Sequence, residues 1–216
     1  MQATVSLVPK LLLLSGAIAP MLFLVVLLLE GALRPGYDPR RFFGSELALG
    51  KRGWVQITNF ILAGLLIFGS VFGIAQVLPG SLWGTLFLGL FGLCLIVAGA
   101  FVTDPVLYFP PEMKEQGPTM HGRIHGANFP LSFGSLIVTT FVFSGLFFSA
   151  GDLAWALYSL FSGLAVIVFT GMMIGAVARA LQGRVEASVG LWQRFAIAAG
   201  WIWIAALNAH LLWQVW

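Results

Sequence analysis

The stretch that decides the fold is residues 54–103, which read WVQITNFILAGLLIFGSVFGIAQVL-PGS-LWGTLFLGLFGLCLIVAGAFVT. Each of its two apolar runs exceeds the roughly 20 residues that an α-helix needs to cross the hydrocarbon core of a bilayer. The residues between the runs, Pro79-Gly80-Ser81, are turn formers and leave room only for a tight connection. The stretch therefore predicts two antiparallel transmembrane helices that lie side by side.

The whole chain is too apolar to form a water-soluble domain. Of its 216 residues, 59% are apolar and 9% are charged, and the mean hydropathy is +0.96. Soluble domains carry about 25% charged residues. Because backbone groups in lipid must be hydrogen-bonded internally, we predict an all-α polytopic transmembrane helix bundle, a single domain over residues 1–216. The six predicted spans are residues 11–33, 54–78, 82–103, 125–150, 153–181 and 191–216.

The basic residues are distributed unevenly between the two ends of the predicted bundle. Successive spans alternate in direction, so the first, third and fifth connections share one side and both termini share the other. The side of the first, third and fifth connections carries ten basic residues: Arg34, Arg40, Arg41, Lys51, Arg52, Lys114, Arg123, Arg179, Arg184 and Arg194. The side of the termini carries only Lys10. Cytoplasmic connections attract Lys and Arg, so we expect a cell (inner) membrane protein with both termini outside the cytoplasm.

The net charge of +3 does not predict a nucleic-acid partner. The basic residues form no dense run, which fits orientation in a membrane better than binding of a phosphate backbone. Cys94 is the one cysteine and lies inside an apolar run, so the chain forms no intramolecular disulfide. We expect the lipid bilayer to be the principal partner.

Small and aromatic residues within the spans predict how the helices pack. Gly69 and Gly73 lie one turn apart in the second span, as do Gly171 and Gly175 in the fifth. Such pairs let helix backbones approach closely. We expect packing mainly within the bundle, with contact to other membrane proteins as the alternative. The tryptophans of the last span, which we predict to anchor it partly at the membrane interface, are Trp192, Trp201, Trp203, Trp213 and Trp216.

The most distinctive polar pattern is His121-Gly122-Arg123-Ile124-His125, at the start of the fourth span. On a helix, His121 and His125 share a face one turn apart, and paired histidines at this spacing are a known way to hold zinc. Zinc takes about four ligands, or three and a water, so the pair needs a further ligand. Asp104, which directly follows the third span, is the candidate for that role.

Further polar groups are expected near the same membrane surface. Ser45 and Glu46 precede the second span, and Gln56 and Asn59 lie in its first turns. Glu46 or Asp104 is a candidate general base, and Ser45 is a candidate nucleophile or water-orienting group. Two alternatives stay open: these side chains cap helix ends, or they bind a lipid headgroup or another ligand.

Several short segments follow one another in a distinctive order between the first and fourth spans. They are Leu33-Arg34-Pro35-Gly36-Tyr37-Asp38-Pro39, Ser45-Glu46-Leu47-Ala48-Leu49-Gly50, Gly53-Trp54, Phe101-Val102-Thr103-Asp104-Pro105 and Thr119-Met120-His121-Gly122, followed by His125. Together they resemble the bacterial membrane family catalogued as domain of unknown function 998. The resemblance fades after the fourth span. It implies a six-span membrane protein and suggests that Ser45, Asp104, His121 and His125 matter together, but it implies no activity.

Two functional hypotheses follow. The first is a membrane protein whose polar site at the cytoplasmic interface binds or hydrolyses a lipid or amphiphile, with a metal in its enzymatic form. Its chemistry is similar to that of membrane hydrolases of the ceramidase and progestin-receptor type, which combine a serine, an acidic residue and zinc-bound histidines. The alternative is a non-catalytic scaffold or accessory subunit of a larger complex. In a cofactor-binding form of that alternative, His210 would ligate a haem or pigment.

Overall fold

The computed structural model describes residues 6–107, 109–110, 112, 117–183 and 188–216. Six of its helices are long and apolar enough to cross a membrane, so the prediction of an all-α, six-span bundle is confirmed. A short 3-10 helix, Gly44–Ala48, lies between the first two. The six long helices are α1 Leu7–Leu33, α2 Gly53–Val77, α3 Leu82–Ala100, α4 Met120–Ser149, α5 Leu153–Leu181 and α6 Val189–Val215.

Three helix ends differ most from the predicted spans: the start of α1, which is Leu7 instead of Leu11, and the two ends that flank the connection between α3 and α4. The helix α3 ends at Ala100 instead of Thr103, and the chain is extended from Phe101. The helix α4 begins at Met120 instead of His125, because the side-chain oxygen of Thr119 accepts a hydrogen bond from the Gly122 N–H and caps the helix. Both histidines of the predicted pair therefore lie inside α4.

The six helices form a closed ring. Each helix packs against its neighbours in the sequence, and α1 packs against α6 to close the circle. Aromatic side chains fill part of the interior. The ring centroid of Trp201 lies 5.3 Å from that of Phe23 and 4.8 Å from that of Phe91, which brings α6, α1 and α3 together.

The five tryptophans from Trp192 to Trp216 differ in burial, and Trp192 is partly buried, with its ring stacked on that of Phe169 at a centroid distance of 6.2 Å. Trp213 and Trp216 are 85% and 81% exposed at the end of the helix, as expected for interfacial anchors. Trp201 and Trp203 are 2% and 0% exposed, so the interfacial prediction is wrong for these two. The indole N–H of Trp203 donates to Ser159 Oγ at 3.0 Å, so this ring is buried with its polar atom satisfied.

The two glycine pairs have different surroundings. A side chain at Gly73 would meet the Pro9 carbonyl oxygen of α1 at 3.0 Å, so the Gly69/Gly73 face packs within the bundle. Residues of α1 in the same chain thus lie against this face. A side chain at Gly171 would meet nothing within 4 Å among the described residues, and one at Gly175 would meet only Arg179 of the same helix. This second face of α5 is open.

The connections between α1 and α2 and between α3 and α4 meet at one end of the ring, which we call the polar end. The Glu46 carboxylate of the first connection accepts a hydrogen bond from the Leu107 N–H of the second. The Arg40 carbonyl accepts one from the Leu191 N–H, at 2.9 Å, near the start of α6. Groups far apart in the sequence are thus neighbours at this end.

The opposite end of the ring contains both short turns and the ends of α1 and α6. There the ammonium group of Lys10 lies 5.1 Å from the centroid of the Trp216 ring. Most of the basic residues lie at the polar end, in agreement with the alternation of the spans. Lys114 and Arg184, two of the residues behind that prediction, lie outside the described residues.

Candidate functional site

Glu46 joins the two polar connections from a buried position. Its side chain is 0% exposed, and its two oxygens accept hydrogen bonds from the Phe43 and Leu107 N–H groups, both at 2.9 Å. Burial raises the pKa of Glu46 to about 7, although both backbone hydrogen bonds act in the opposite direction. Because both oxygens are bonded to the backbone, Glu46 holds the connections together and does not face a cavity.

A second network holds the 3-10 helix against α1. Arg34 Nη2 lies 3.2 Å from Glu30 Oε2 and donates to the Leu47 carbonyl at 2.9 Å. Arg34 Nη1 donates to the Leu49 carbonyl at 3.0 Å. Arg52 pairs with the other oxygen of Glu30. The single carboxylate of Glu30 is therefore shared by two guanidinium groups.

Tyr37 and Arg194 connect the first connection to α6. Arg194 Nη2 donates to Tyr37 Oη at 2.6 Å, and the Tyr37 hydroxyl donates to the Phe43 carbonyl at 3.0 Å. Burial raises the pKa of Tyr37, so the hydroxyl keeps the proton that it donates. Neither residue was predicted to belong to a site, because a hydrogen bond to a backbone carbonyl leaves no pattern in the sequence.

Asp104 positions the start of α4. Its carboxylate accepts hydrogen bonds from Thr119 N at 2.9 Å and from Thr119 Oγ1 at 2.6 Å, and that hydroxyl oxygen accepts one from Gly122 N at 3.0 Å. A side chain at Gly122 would overlap the Asp104 carboxylate. A negative charge also interacts favourably with a helix N-terminus. The arrangement supports the capping alternative for Asp104.

The two histidines lie one turn apart on α4 in different surroundings. His121 is exposed, with its ring centroid 5.3 Å from that of Phe101. His125 is partly buried, and its Nδ1 lies 2.9 Å from the Phe101 carbonyl oxygen. A carbonyl only accepts, so Nδ1 carries the proton and Nε2 is the acceptor of the neutral ring. Asn128 Nδ2 donates to the Cys94 carbonyl at 2.8 Å, so His125 and Asn128 both bond α4 to α3.

The proposed metal ligands do not converge in the described part of the chain. Among those residues, no group of three or more His, Cys, Asp and Glu side chains is placed to hold a metal ion. Both oxygens of Asp104 are already bonded to Thr119. Zinc binding by His121, His125 and Asp104 therefore stays a prediction, and the geometry gives it no complete ligand set.

A cavity of about 330 Å³ lies inside the ring, just below the polar end. Its volume is within the usual range for small-molecule pockets. All six helices contribute to its wall, which is mainly apolar. No Asp, Glu, Lys or Arg within the described ranges lines it. The polar side chains on the wall are Ser45, Gln56, Thr103, His125, Asn128, Ser132 and Gln193.

The cavity separates the residues that the sequence predicted to act together. Ser45 and His125 line it. Glu46, Asp104 and His121 do not, since the two carboxylates are bonded to neighbouring connections and His121 is exposed. The sequence therefore placed these residues near one end of the bundle correctly, but only two of the five share the cavity.

The cavity reaches exposed residues of two neighbouring helices. Gly126 of α4 and Ile174 of α5 line it and are exposed, from which we infer an opening to the side between α4 and α5. Toward the opposite end the two helices are bonded, because Ser144 Oγ donates to the Ala156 carbonyl at 2.8 Å. The helices α4 and α5 are thus bonded to each other far from the polar end, and both line the cavity near it.

Comparison with known proteins identifies the family. The model of the family described as "Protein of unknown function (DUF998)" matches residues 17–210. The chain belongs to this family. The match reaches into α6, well beyond the fourth span where the recognisable segments stop. No curated protein and no solved structure matches the chain.

In this DUF998 member, Gln56 is a cavity residue with an unused hydrogen-bond donor. Its side chain is 0% exposed, and its Oε1 accepts a hydrogen bond from Asn59 Nδ2 at 3.3 Å. Asn59 Nδ2 also donates to the Phe23 carbonyl at 3.2 Å, which identifies that atom as nitrogen. The Gln56 oxygen must therefore face Asn59, and Gln56 Nε2 has no partner among the described residues. The sequence placed both amides in the first turns of the second span, but it did not show that Gln56 would be left with an unpaired donor.

Proposed function

We propose that this DUF998 protein binds a lipid or another amphiphile in the cavity inside its ring. The observation that carries the proposal is the apolar cavity with its opening between α4 and α5. Pockets with apolar walls and a few polar groups are the usual form of small-ligand sites. An opening on the outer surface of a transmembrane ring suits a ligand that arrives from the bilayer.

The depth of the opening supports a ligand from the bilayer over one from water. Gly126 lies about 9 Å from the start of α4, at 1.5 Å per residue, below the helix end. The networks around Glu46, Arg34 and Tyr37 bond the described parts of the connections to one another at the polar end. A ligand in the acyl region would reach Gly126 and Ile174 directly.

Native mass spectrometry of the purified protein in detergent tests the proposal with two variants of α4. A side chain at Gly126 or at Gly134 would meet nothing within 4 Å among the described residues, but only Gly126 lines the cavity. Leucine is a better helix former than glycine, so both variants should fold. We expect wild type and Gly134→Leu to retain co-purified lipid and Gly126→Leu to lose most of it. Equal retention by all three proteins would contradict the proposal.

We also propose that the polar end faces the cytoplasm of a bacterial inner membrane. The excess of basic residues at that end supports this orientation. In whole cells, an impermeant thiol reagent should label Lys10→Cys and should label Lys51→Cys only after lysis. The reverse pattern would show the opposite orientation.

A hydrolytic form of the same site is a second candidate, because Ser45 and His125 line one cavity. The Nδ1–H of His125 is bonded to a carbonyl, which leaves Nε2 as the basic atom that a serine nucleophile needs. Release of fatty acid from a long-chain ester, lost in Ser45→Ala, would support it. The zinc content of the purified protein, and its loss in His121→Ala and His125→Ala, tests the metal-assisted version. A protein that neither cleaves esters nor holds zinc is a binding protein only.

A further inference from the structure

We propose that the ligand presents an uncharged carbonyl oxygen to Gln56, so that the cavity selects neutral acyl esters, amides or ketones. This inference rests on the proposed function, because it presupposes that a lipid-like molecule occupies the cavity. It adds the chemical class of the ligand and the residue that recognises it.

The first support is the fixed orientation of the Gln56 amide. Its oxygen accepts from Asn59 Nδ2, which the Phe23 carbonyl identifies as the nitrogen, so the Gln56 amide cannot flip without losing its bond to Asn59. The nitrogen is buried without a partner in the described part of the chain. Buried donors are nearly always paired in folded proteins, and an unpaired one is costly. A ligand acceptor at this position would remove that cost.

The second support is the absence of charge around the cavity. None of the lining residues in the described ranges is Asp, Glu, Lys or Arg, and the Nδ1–H of the one histidine, His125, is already bonded to the Phe101 carbonyl. Glu30, the buried carboxylate of α1, is already paired with Arg34 and Arg52. Burying an ion without a partner is much less favourable than burying a carbonyl group that accepts a hydrogen bond. A carboxylate or an ammonium group is therefore a poor match for this wall.

Trp201 is a second buried donor on the wall, but its position favours Gln56 as the residue that binds the oxygen. The indole N–H of Trp201 has no polar partner among the described residues. Its ring, however, meets that of Phe91 edge to face, at 89° and 4.8 Å. It also lies about 12 Å further along α6 than Gln193, at 1.5 Å per residue. We assign this deeper part of the cavity to the apolar chain of the ligand.

Three probes with the same chain length test the inference in a native mass spectrometry titration. They are a monoacylglycerol, the corresponding glycerol monoalkyl ether, which lacks the carbonyl, and the free fatty acid. Wild type should bind the ester roughly threefold to tenfold more tightly than the ether, the usual range for one hydrogen bond. The ionised fatty acid should bind more weakly than the ester.

Two methionine substitutions on α2 provide the matched comparison. Gln56→Met removes the donor at similar side-chain volume, so it should bind ester and ether equally. Gln76→Met is the control, since Gln76 is exposed at the other end of α2 and its Nε2 donates to the Phe72 carbonyl at 3.0 Å. This variant should keep the wild-type preference for the ester.

The outcomes distinguish the inference from the function on which it rests. Equal binding of ester and ether by wild type would overturn the inference, whether or not Gln56→Met folds. A Gln56→Met protein that keeps the preference would also overturn it. If wild type binds all probes alike and Gly126→Leu binds none, the cavity still binds lipid and only the selectivity is refuted. If wild type binds none of the probes, both proposals are rejected.

Discussion

The two sides of α4 near the polar end differ in how they meet their neighbours. Toward α3, three hydrogen-bonded groups hold the helix: Asp104 with Thr119, His125 with the Phe101 carbonyl, and Asn128 with the Cys94 carbonyl. We call this the bonded side.

Toward α5, on the open side, Gly126 borders the cavity and a side chain there would meet nothing within 4 Å among the described residues. The polar groups at the start of α4 thus hold the helix against α3 and leave a gap on the other face. Most of the polar side chains that mark this segment in the sequence bond α4 to its neighbour and do not line the opening.

The largest predicted effect concerns Glu46, which extends the bonded side by joining Leu107 to the first connection. Its pKa is about 7 in the folded protein, above the ordinary value of 4.5. Between pH 4.5 and about 7, the carboxyl group of Glu46 keeps a proton in the folded state that it has lost in the unfolded state. The stability therefore falls as the pH rises from 4.5 to about 7, by roughly 3 kcal/mol at most.

Thermal unfolding in detergent across this pH range checks the prediction. Wild type should melt at progressively lower temperature as the pH rises, and Glu46→Gln should lose most of that dependence. Asp38→Asn is a control in an exposed position of the same connection. A wild-type melting temperature that does not fall over this range would show that the carboxylate is ionised throughout.

An intermediate effect is predicted for Gly122, on the bonded side. Alanine there would displace the Asp104 carboxylate and break its hydrogen bonds to Thr119, which we expect to cost about 1–3 kcal/mol. Asp104→Ala should cost a similar amount, and adding Gly122→Ala to it should cost little more. Fully additive losses in this double-mutant cycle would mean that the two residues do not interact.

The smallest effect, of opposite sign, is predicted for Gly126, one turn further along the same helix. Alanine there meets no atom of the described residues within 4 Å and is a better helix former, so the free energy of unfolding should rise by up to about 1 kcal/mol. The same melting experiment measures both substitutions. A loss of stability in Gly126→Ala as large as that in Gly122→Ala would remove the distinction between the two sides.

The spans were predictable because lipid imposes a simple rule on length and polarity, as in the stretch from Trp54 to Thr103. The prediction was wrong where contacts between helices, and not contact with lipid, determine the position of a side chain. Trp201 and Trp203 belong to a residue type that favours the membrane interface, yet they are buried between helices. The start of α4 was also misplaced, because the cap depends on Thr119, which the pattern of apolar residues does not show.

The site was only partly predictable for a related reason. Asp104, His121 and His125 stood out because polar side chains are rare in this chain. Their main partners are a neighbouring threonine, an aromatic ring and a backbone carbonyl, which are not distinctive in a sequence. The cavity depends on how α4 and α5 are arranged near the polar end, and no single residue determines that arrangement. The sequence identified Gln56 only as an amide in an apolar span and did not predict that it lines a cavity.

Labelling with a photoactivatable acyl lipid tests whether acyl chains enter the ring between α4 and α5. Peptide mapping of the cross-linked protein should find adducts on Met173 and Phe133, which line the cavity and are buried. Gly126→Leu should remove these adducts and leave those on Phe161, which is exposed on the outer face of α5. Adducts confined to exposed residues such as Phe161 in wild type would show that acyl chains do not enter the ring.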